Sequence, residues 1–321
     1  MIKFENVSKK YPDGTIAVNN LNIEIKQGEF FVFIGPSGSG KTTSLKMINQ
    51  LIRHTDGHIF IDGQKNTDYD LYPLRWNIGY VLQQIALFPH MTIEENISVV
   101  PELKKWPKEK MQKRAHELLE MVGLDPKSYA LRKPHQLSGG EQQRVGVLRA
   151  LAIDPDIILM DEPFSALDPI SREKLQDDLI ALMQNLNKTT VFVTHDMQEA
   201  LKLADRIGII NEGKLVQVGT PDELIHEPVN EFVKKFVGGS DEFAVQNINI
   251  ADMMMPLPKV VDKSMKSISA SATLDNILVS LAETEQLTIE EDGKTIGMIN
   301  HKAVIQYLAT KSEQERWQRY E

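Results

Sequence analysis

The 321-residue chain contains no cysteine, which excludes a disulfide framework, a thiolate zinc site and a cysteine nucleophile. That absence suits a reducing compartment. The chain also lacks any run of about 18–20 uninterrupted apolar residues, the length a membrane-spanning helix needs. Its first residues, MIKFENVSKKYPDG, offer no apolar stretch of the signal-peptide kind. If the protein works at a membrane, another chain must anchor it. Nor is there an excess of positive charge. The 36 Lys+Arg stand against 45 Asp+Glu, a formal balance of −9, which argues against a broad basic surface for nucleic acid. What is present is 41% hydrophobic and 25% charged residues, the make-up of a globular protein with a real core, at a length that allows one large domain or two ordinary ones.

The first part of the chain alternates apolar runs with helical patterns. Phe30-Phe31-Val32-Phe33-Ile34, Ile157-Ile158-Leu159-Met160 and Val191-Phe192-Val193 are short and continuously apolar, as strands buried on both faces of a parallel sheet are. The first run leads into a Gly-rich loop, the second into an acidic pair, the third into a histidine. Open parallel sheets bind ligands at the carboxyl ends of their strands, so these three ends should converge. Gly238-Gly239-Ser240-Asp241 reads as the start of a linker spanning 238–258. Beyond it, Leu274, Ile277, Leu278 and Leu281 have helical spacing. Asp292-Gly293 is a hairpin turn signal between Leu287-Thr288-Ile289 and Thr295–Ile299, and Val304, Ile305 and Leu308 suggest a last helix. From Ser240 onward there are 8 basic and 13 acidic residues, again a poor surface for DNA or RNA.

Gly35-Pro36-Ser37-Gly38-Ser39-Gly40-Lys41-Thr42-Thr43 matches the phosphate-binding pattern G-x-x-x-x-G-K-[ST]. Glycines let backbone N–H groups close around phosphate oxygens, and the helix that follows adds its own N-terminal donors. Leu45, Ile48 and Leu51 are read as that helix's apolar stripe. Lys41 sets a point charge on the β- and γ-phosphates, and Thr42 offers a hydroxyl to Mg²⁺. Asp161-Glu162 follows the second apolar run. A carboxylate there can hold Mg²⁺, directly or through water, and Glu162 can polarise an attacking water. In Leu137-Ser138-Gly139-Gly140-Glu141-Gln142-Gln143, Ser138 and Glu141 form a capping box that starts a helix. The paired glycines leave bare amides at that start for a second phosphate contact. One nucleotide does not need two such helix starts on one small domain. Two copies paired head to tail explain both, each Ser138/Gly140 closing over the partner's nucleotide.

With these motifs the chain resembles the ATPases of the ATP-binding-cassette family over about residues 1–237. The fold implied is α/β, a mostly parallel sheet with a helical subdomain, followed by a small α+β module. Ser165-Ala166-Leu167-Asp168 is similar to the family's D-loop, His195 in VTHD to its switch histidine, and Gln83 in YVLQQ to its Q-loop glutamine. The resemblance implies that Gln83 touches Mg²⁺ and the water, that His195 donates to the γ-phosphate, that Tyr11 stacks on adenine, and that Asp168 acts across a homodimer. It implies ATP and Mg²⁺ as cofactors. The segment after Gln83, with Leu87-Phe88-Pro89, would form part of a groove for a short helix of an integral membrane permease. The protein would then sit at the cytoplasmic face of the membrane, with an extracytoplasmic solute-binding protein as an indirect partner.

Val260 to Leu308, within a module set at 259–321, resembles a single CBS unit, a β-α-β-β-α element that usually occurs in pairs. A cassette ATPase with such an appendix resembles the importers of glycine betaine, carnitine, choline or proline, and FPHMTIEENI is similar to that branch. Where the CBS family often places a ribose-binding acid, this chain has Asn300-His301-Lys302-Ala303. Ala303 stands in the acid's place, a departure from the family pattern; the appendix is read as a site for an adenine nucleotide or cyclic dinucleotide as in related importers, as a dimer-stabilising element, or as a salt-dependent contact with anionic lipid or the transporter. Two further functions stay open: an ATPase acting on a non-membrane partner, and an importer subunit for another solute class. A small-molecule kinase leaves LSGGEQQ unexplained.

Overall fold

The structure is a computed structural model and describes residues 1–238 apart from 166 and 187, then 253–255, 266–269, 276–277, 280–281, 284–291, 294–304 and 306–307. Two units divide the chain at Val237/Gly238. The first unit opens with β1 (Ile2–Lys10), β2 (Ile16–Ile25), β3 (Phe30–Ile34), α1 (Lys41–Ile48), β4 (Asp56–Ile61), β5 (Gln64–Lys65), α2 (Leu71–Trp76) and β6 (Ile78–Val81). It continues with α3 (Ile93–Leu103), α4 (Lys108–Met121), α5 (Pro126–Tyr129), α6 (Gly139–Leu151), β7 (Ile157–Asp161), α7 (Pro169–Leu186) and β8 (Thr189–Thr194). It closes with α8 (Met197–Leu203), β9 (Arg206–Asn211), β10 (Lys214–Gly219), α9 (Pro221–His226) and α10 (Glu231–Gly238).

The three apolar runs are the centre of a six-stranded sheet of order β10-β9-β3-β8-β7-β6, parallel except at β10. Every residue of β3, β7 and β8 is buried. Because side chains alternate along a strand, β3 feeds two cores at once. Phe31 and Phe33 join Leu45, Ile48, Leu159 and Val193 on one face. Phe30, Val32 and Ile34 join Ile97, Leu118, Leu148 and Phe192 on the other. The second of these cores is closed by α3, α4 and α6. The first is closed by a separate antiparallel sheet, β2-β1-β4-β5, which was not anticipated from the sequence. Ile2, Phe4, Leu21, Ile25 and Ile59 are its buried face.

Local chemistry starts the helices. Capping boxes are made by Thr92 with Glu95 at α3, by Ser138 with Glu141 at α6 and by Thr220 with Glu223 at α9, each cap contributing about 1 kcal/mol. One expectation fails here. Helix α1 ends at Ile48, so Leu51 is no part of its stripe and is 51% exposed. Gln50 follows the helix with φ 56°, and that left-handed residue turns the chain away before Leu51.

In the second unit β11 (Ser267–Ser269) runs parallel to β12 (Gln286–Glu291), which pairs antiparallel with β13 (Lys294–Asn300). Met253, Ile277, Leu281, Leu287, Ile289, Ile299 and Val304 form a small core. Asn300 Oδ1 accepts the Ala303 N–H at 2.9 Å. Leu274, Leu278, Ile305, Leu308, the Asp292-Gly293 turn and all of the expected linker except 238 and 253–255 lie outside the described residues. Among the described residues no helix is long and apolar enough to cross a membrane.

Gly35 marks the tightest approach in the first unit: a Cβ there would lie 1.9 Å from the Ile210 carbonyl oxygen. Gly35→Ala is expected to push β3 from β9 at a cost of about 1–3 kcal/mol. Thermal unfolding should show this as a lower Tm, by about 2–4 °C per kcal/mol. An unchanged Tm would contradict the close approach.

Candidate functional site

Parallel pairing brings three strand ends together. Ile34 stands opposite Thr194, and Asp161 opposite Val193. The loops that leave β3, β7 and β8 therefore start side by side and carry Gly35–Thr43, Glu162 and His195.

The Gly35–Gly40 loop turns on positive-φ glycines. At Gly40 (φ 106°) a Cβ would meet the Ala17 carbonyl oxygen at 2.2 Å, so only glycine lets the loop lie against the start of β2. Lys41, the first residue of α1, is 5% exposed. Its Nζ donates to the carbonyls of Gly35 at 2.8 Å and Pro36 at 2.9 Å. Burial pulls this ammonium below the ordinary lysine value, while the charges of Glu162 and Asp161 act in the opposite direction. Ser39 Oγ is buried without a hydrogen-bond partner among the described residues. A loop with an orphaned hydroxyl, a buried ammonium and the first turn of a helix fits a triphosphate.

Asp161 is the most heavily partnered carboxylate of the site. Thr42 Oγ1 donates to its Oδ1 at 2.7 Å, Tyr80 OH donates to its Oδ2 at 3.2 Å, and Lys46 Nζ lies 3.4 Å from Oδ2. Burial, then the Asp161 charge and hydrogen bond, push the Tyr80 phenol well above its ordinary value, so it remains a donor. The oxygens of Thr42 and Asp161 are hard donors of the kind Mg²⁺ takes. Among the described residues no group of three or more His, Cys, Asp or Glu could hold a metal by itself. Phosphate and water oxygens would have to complete the shell, as Mg²⁺ prefers.

Glu162 has φ 44°, a left-handed conformation that costs a non-glycine residue about 1–2 kcal/mol. Its N–H donates to the Val193 carbonyl at 2.9 Å, which ties the strained residue to β8. Two side chains converge on its Oε2: Gln83 Nε2 donates at 3.4 Å, and His195 Nδ1 lies at 3.1 Å. A carboxylate held this way beside a phosphate loop can orient and polarise a water.

The histidine loop has a support that the sequence reading missed. Thr194 Oγ1 donates to Glu199 Oε2 at 2.6 Å, and Asp196 caps α8 through the N–H groups of Gln198 and Glu199. Glu199 is 5% exposed, and burial raises its pKa. Arg172 lies within 3.6 Å of Asp196 and donates to the Leu167 carbonyl at 3.3 Å, tying this loop to the one carrying Asp168. The available signal was Asp196, a residue type that caps helices, directly before Met197–Leu203. Tyr80, three residues before Gln83, was missed as well, because a tyrosine in an apolar strand reads as packing.

The remaining expected residues lie elsewhere. Tyr11 is half-buried at the β1–β2 turn, where its N–H donates to the Thr15 carbonyl at 2.8 Å and Lys9 Nζ sits 5.1 Å from its ring centroid. Ser138 makes its hydrogen bonds with Glu141 in its own capping box, and Tyr129 OH donates to the other oxygen of Glu141 at 2.7 Å. A Cβ on Gly139 would lie 3.8 Å from Leu167 Cδ2, so Ser138–Gly140 begin α6 beside the Leu167–Asp168 segment. Beyond Gln83, an apolar groove of about 590 Å³ is lined by Leu51, Leu82, Phe88, Val99, Val100 and Ile153, with Tyr80, Arg75 and Arg149 among its polar members. Of Leu87-Phe88-Pro89 only Phe88 lines it. Leu87 packs against the core instead.

A model of the ABC transporter family matches residues 18–165. Over 306 residues the chain is 51% identical to the choline transport ATP-binding protein OpuBA of Bacillus subtilis (strain 168), covering 95% of this chain and 77% of that one. It is 55% identical over 277 residues to the glycine betaine/carnitine/choline transport ATP-binding protein OpuCA of the same organism, covering 85% and 72%. The ATP-binding cassette MJ0796, solved as a dimer in a post-hydrolysis state bound to ADP and Pi, superposes with a TM-score of 0.61 at 40% identity, covering 69% of this chain and 99% of that one.

Removal of the buried ammonium by Lys41→Ala should weaken binding of a fluorescent ATP analogue by at least about tenfold, since hydrogen bonds to a charged group contribute about 1.5–3 kcal/mol. Unchanged affinity would count against the loop as the phosphate site.

Proposed function

The chain belongs to the ATP-binding proteins of ABC transporters, an ATPase family, and from that premise we propose that it is the ATP-hydrolysing subunit of an osmoprotectant importer. The solute class is a quaternary ammonium compound such as glycine betaine, carnitine or choline. One observation carries this reading. The identity to the choline-transport relative runs along 95% of the chain, past the ATPase unit and into the C-terminal one.

In this reading Lys41 and the Gly35–Gly40 amides grip the β- and γ-phosphates, and Tyr11 stacks on the adenine. Thr42, Asp161 and Gln83 hold Mg²⁺, which when bound neutralises phosphate charge. Glu162 polarises the attacking water, Gln83 orients it, and His195 donates to a γ-oxygen. Phosphoryl transfer to water needs this positioning and charge stabilisation more than covalent chemistry. Ser138, Gly139, Gly140 and Asp168 of one copy close over the nucleotide of the other. The γ-phosphate is the contact that favours the closed homodimer, and hydrolysis removes it. The groove beyond Gln83 takes a short helix of the integral membrane permease. That contact places the subunit at the cytoplasmic face, with the solute-binding protein on the far side. The C-terminal unit acts as a CBS-like dimerisation or regulatory module, open to an adenine nucleotide or cyclic dinucleotide.

Two measurements test it. Glu162→Gln should bind ATP, lose about 10²–10⁴-fold in turnover and elute as a dimer on size exclusion with ATP; near-normal turnover defeats the assignment. Phe88→Asp, which puts a charge in the groove, should abolish co-purification with the membrane subunits and leave the ATPase rate of the isolated subunit unchanged, because the polar and ring contacts of Phe88 are with Asn96, Met91 and His90 and not with the site. Retained association would remove the groove from the reading.

A further inference from the structure

Tyr80 takes part in two sites at once. Tyr80 is among the residues that line the groove, with Leu82, Phe88 and Arg149, while its hydroxyl donates to Asp161 Oδ2 at 3.2 Å. Strand register explains how one residue reaches both. β6 is the edge strand of the sheet, and Tyr80 pairs with Leu159 of β7. Asp161 is the diagonal neighbour two residues on, on the same face, a separation that an aromatic side chain spans. The hydroxyl meets the carboxylate at Oδ2, where Lys46 Nζ also lies at 3.4 Å, whereas Thr42 binds Oδ1. The carboxylate is thus oriented from the groove side by a ring and from the phosphate side by the start of α1.

We propose that Tyr80 is a positioning residue for the Asp161 carboxylate, and that its ring relays occupancy of the groove to the metal-binding oxygens. The contact is distinct from that of Gln83, whose Nε2 reaches Glu162 Oε2. The relay rests on the reading of the groove as the permease dock. A helix seated there packs against the ring and restricts its motion. The hydroxyl is then held on Oδ2, and Oδ1 stays aimed at Thr42. Groups that hold a metal ligand from behind typically change metal affinity 10–100-fold when removed.

The test uses Tyr80→Phe in the full chain, which keeps the ring and deletes the hydroxyl. Mn²⁺ binding is followed by electron paramagnetic resonance with a non-hydrolysable ATP analogue present, so the readout does not depend on turnover. The expected result is Mn²⁺ affinity about tenfold weaker, with metal-free nucleotide affinity unchanged and Tm lowered by the lost hydrogen bond to the carboxylate. Equal Mn²⁺ affinity in the two proteins, or a fall in Tm without a change in Mn²⁺ affinity, overturns the positioning role. The relay is read by repeating the titration on the assembled importer in nanodiscs. Assembly should shift the Mn²⁺ affinity of the wild-type subunit, and Tyr80→Phe should lose that shift. An equal shift in both, or none in the wild type, overturns the relay. If the wild-type chain forms no complex, the docking reading fails and the relay fails with it, and the free-chain titration still decides the hydroxyl–carboxylate contact.

Discussion

Two adjacent carboxylates, Asp161 and Glu162, stand at the carboxyl end of one fully buried strand, and the neighbouring loops are arranged around their charge. A carboxylate at such a place is costly unless it is hydrogen-bonded or paired. Asp161 draws in Thr42, Tyr80 and Lys46, and so fastens β6, β7 and α1 to one another. Glu162 draws in Gln83 and His195, and so fastens the loops after β6 and β8 to β7. The left-handed backbone at Glu162 turns the second carboxylate out of the strand direction, and this divides the work: one faces the phosphate loop, the other the Gln83–His195 pair.

The scaffold that supports this charge is stiff on both faces. β3 supplies phenylalanines to one core and Phe30, Val32 and Ile34 to the other, so a shift of the strand would disturb both at once. Interiors packed at crystal-like density do not deform gradually. The phosphate loop is therefore anchored by burial before any nucleotide contact. The parts around it are tied by polar contacts instead. Arg172 links the Leu167 carbonyl to Asp196, and Thr194 to Glu199 secures the histidine loop. Polar ties of this sort can break and reform at lower cost than a core can repack. In the proposed cycle, that is the distinction between what stays fixed and what moves with the γ-phosphate.

Chemistry local in sequence was legible in advance. The glycine loop, the acidic pair, the Ser138/Glu141 box and the buried runs all announce themselves within about ten residues, because phosphate loops, capping boxes and buried strands are each built from neighbours. Relations between distant residues were not legible. The antiparallel sheet closing one core depends on pairings of β1 with β2 and β4, whose register shifts blur the period-2 pattern. Leu51 matched a helical stripe by spacing, yet the left-handed Gln50 takes it out of α1 and onto the surface. Leu87 and Phe88 are neighbours in sequence, and only their opposite orientations send one to the core and the other to the groove.

By itself, then, the amino-acid order determined the family, the glycine-rich loop ahead of α1 and the acidic pair at the end of β7, because those depend on residue type and spacing along one stretch of backbone. Tertiary structure alone decided that Tyr80 meets Asp161, that Gln83 and His195 share one oxygen of Glu162, and that Arg172 joins two loops. The physical reason is strand order. β3, β8, β7 and β6 lie side by side in space but far apart in the chain, and hydrogen bonds of about 3 Å form only after the sheet has set the register.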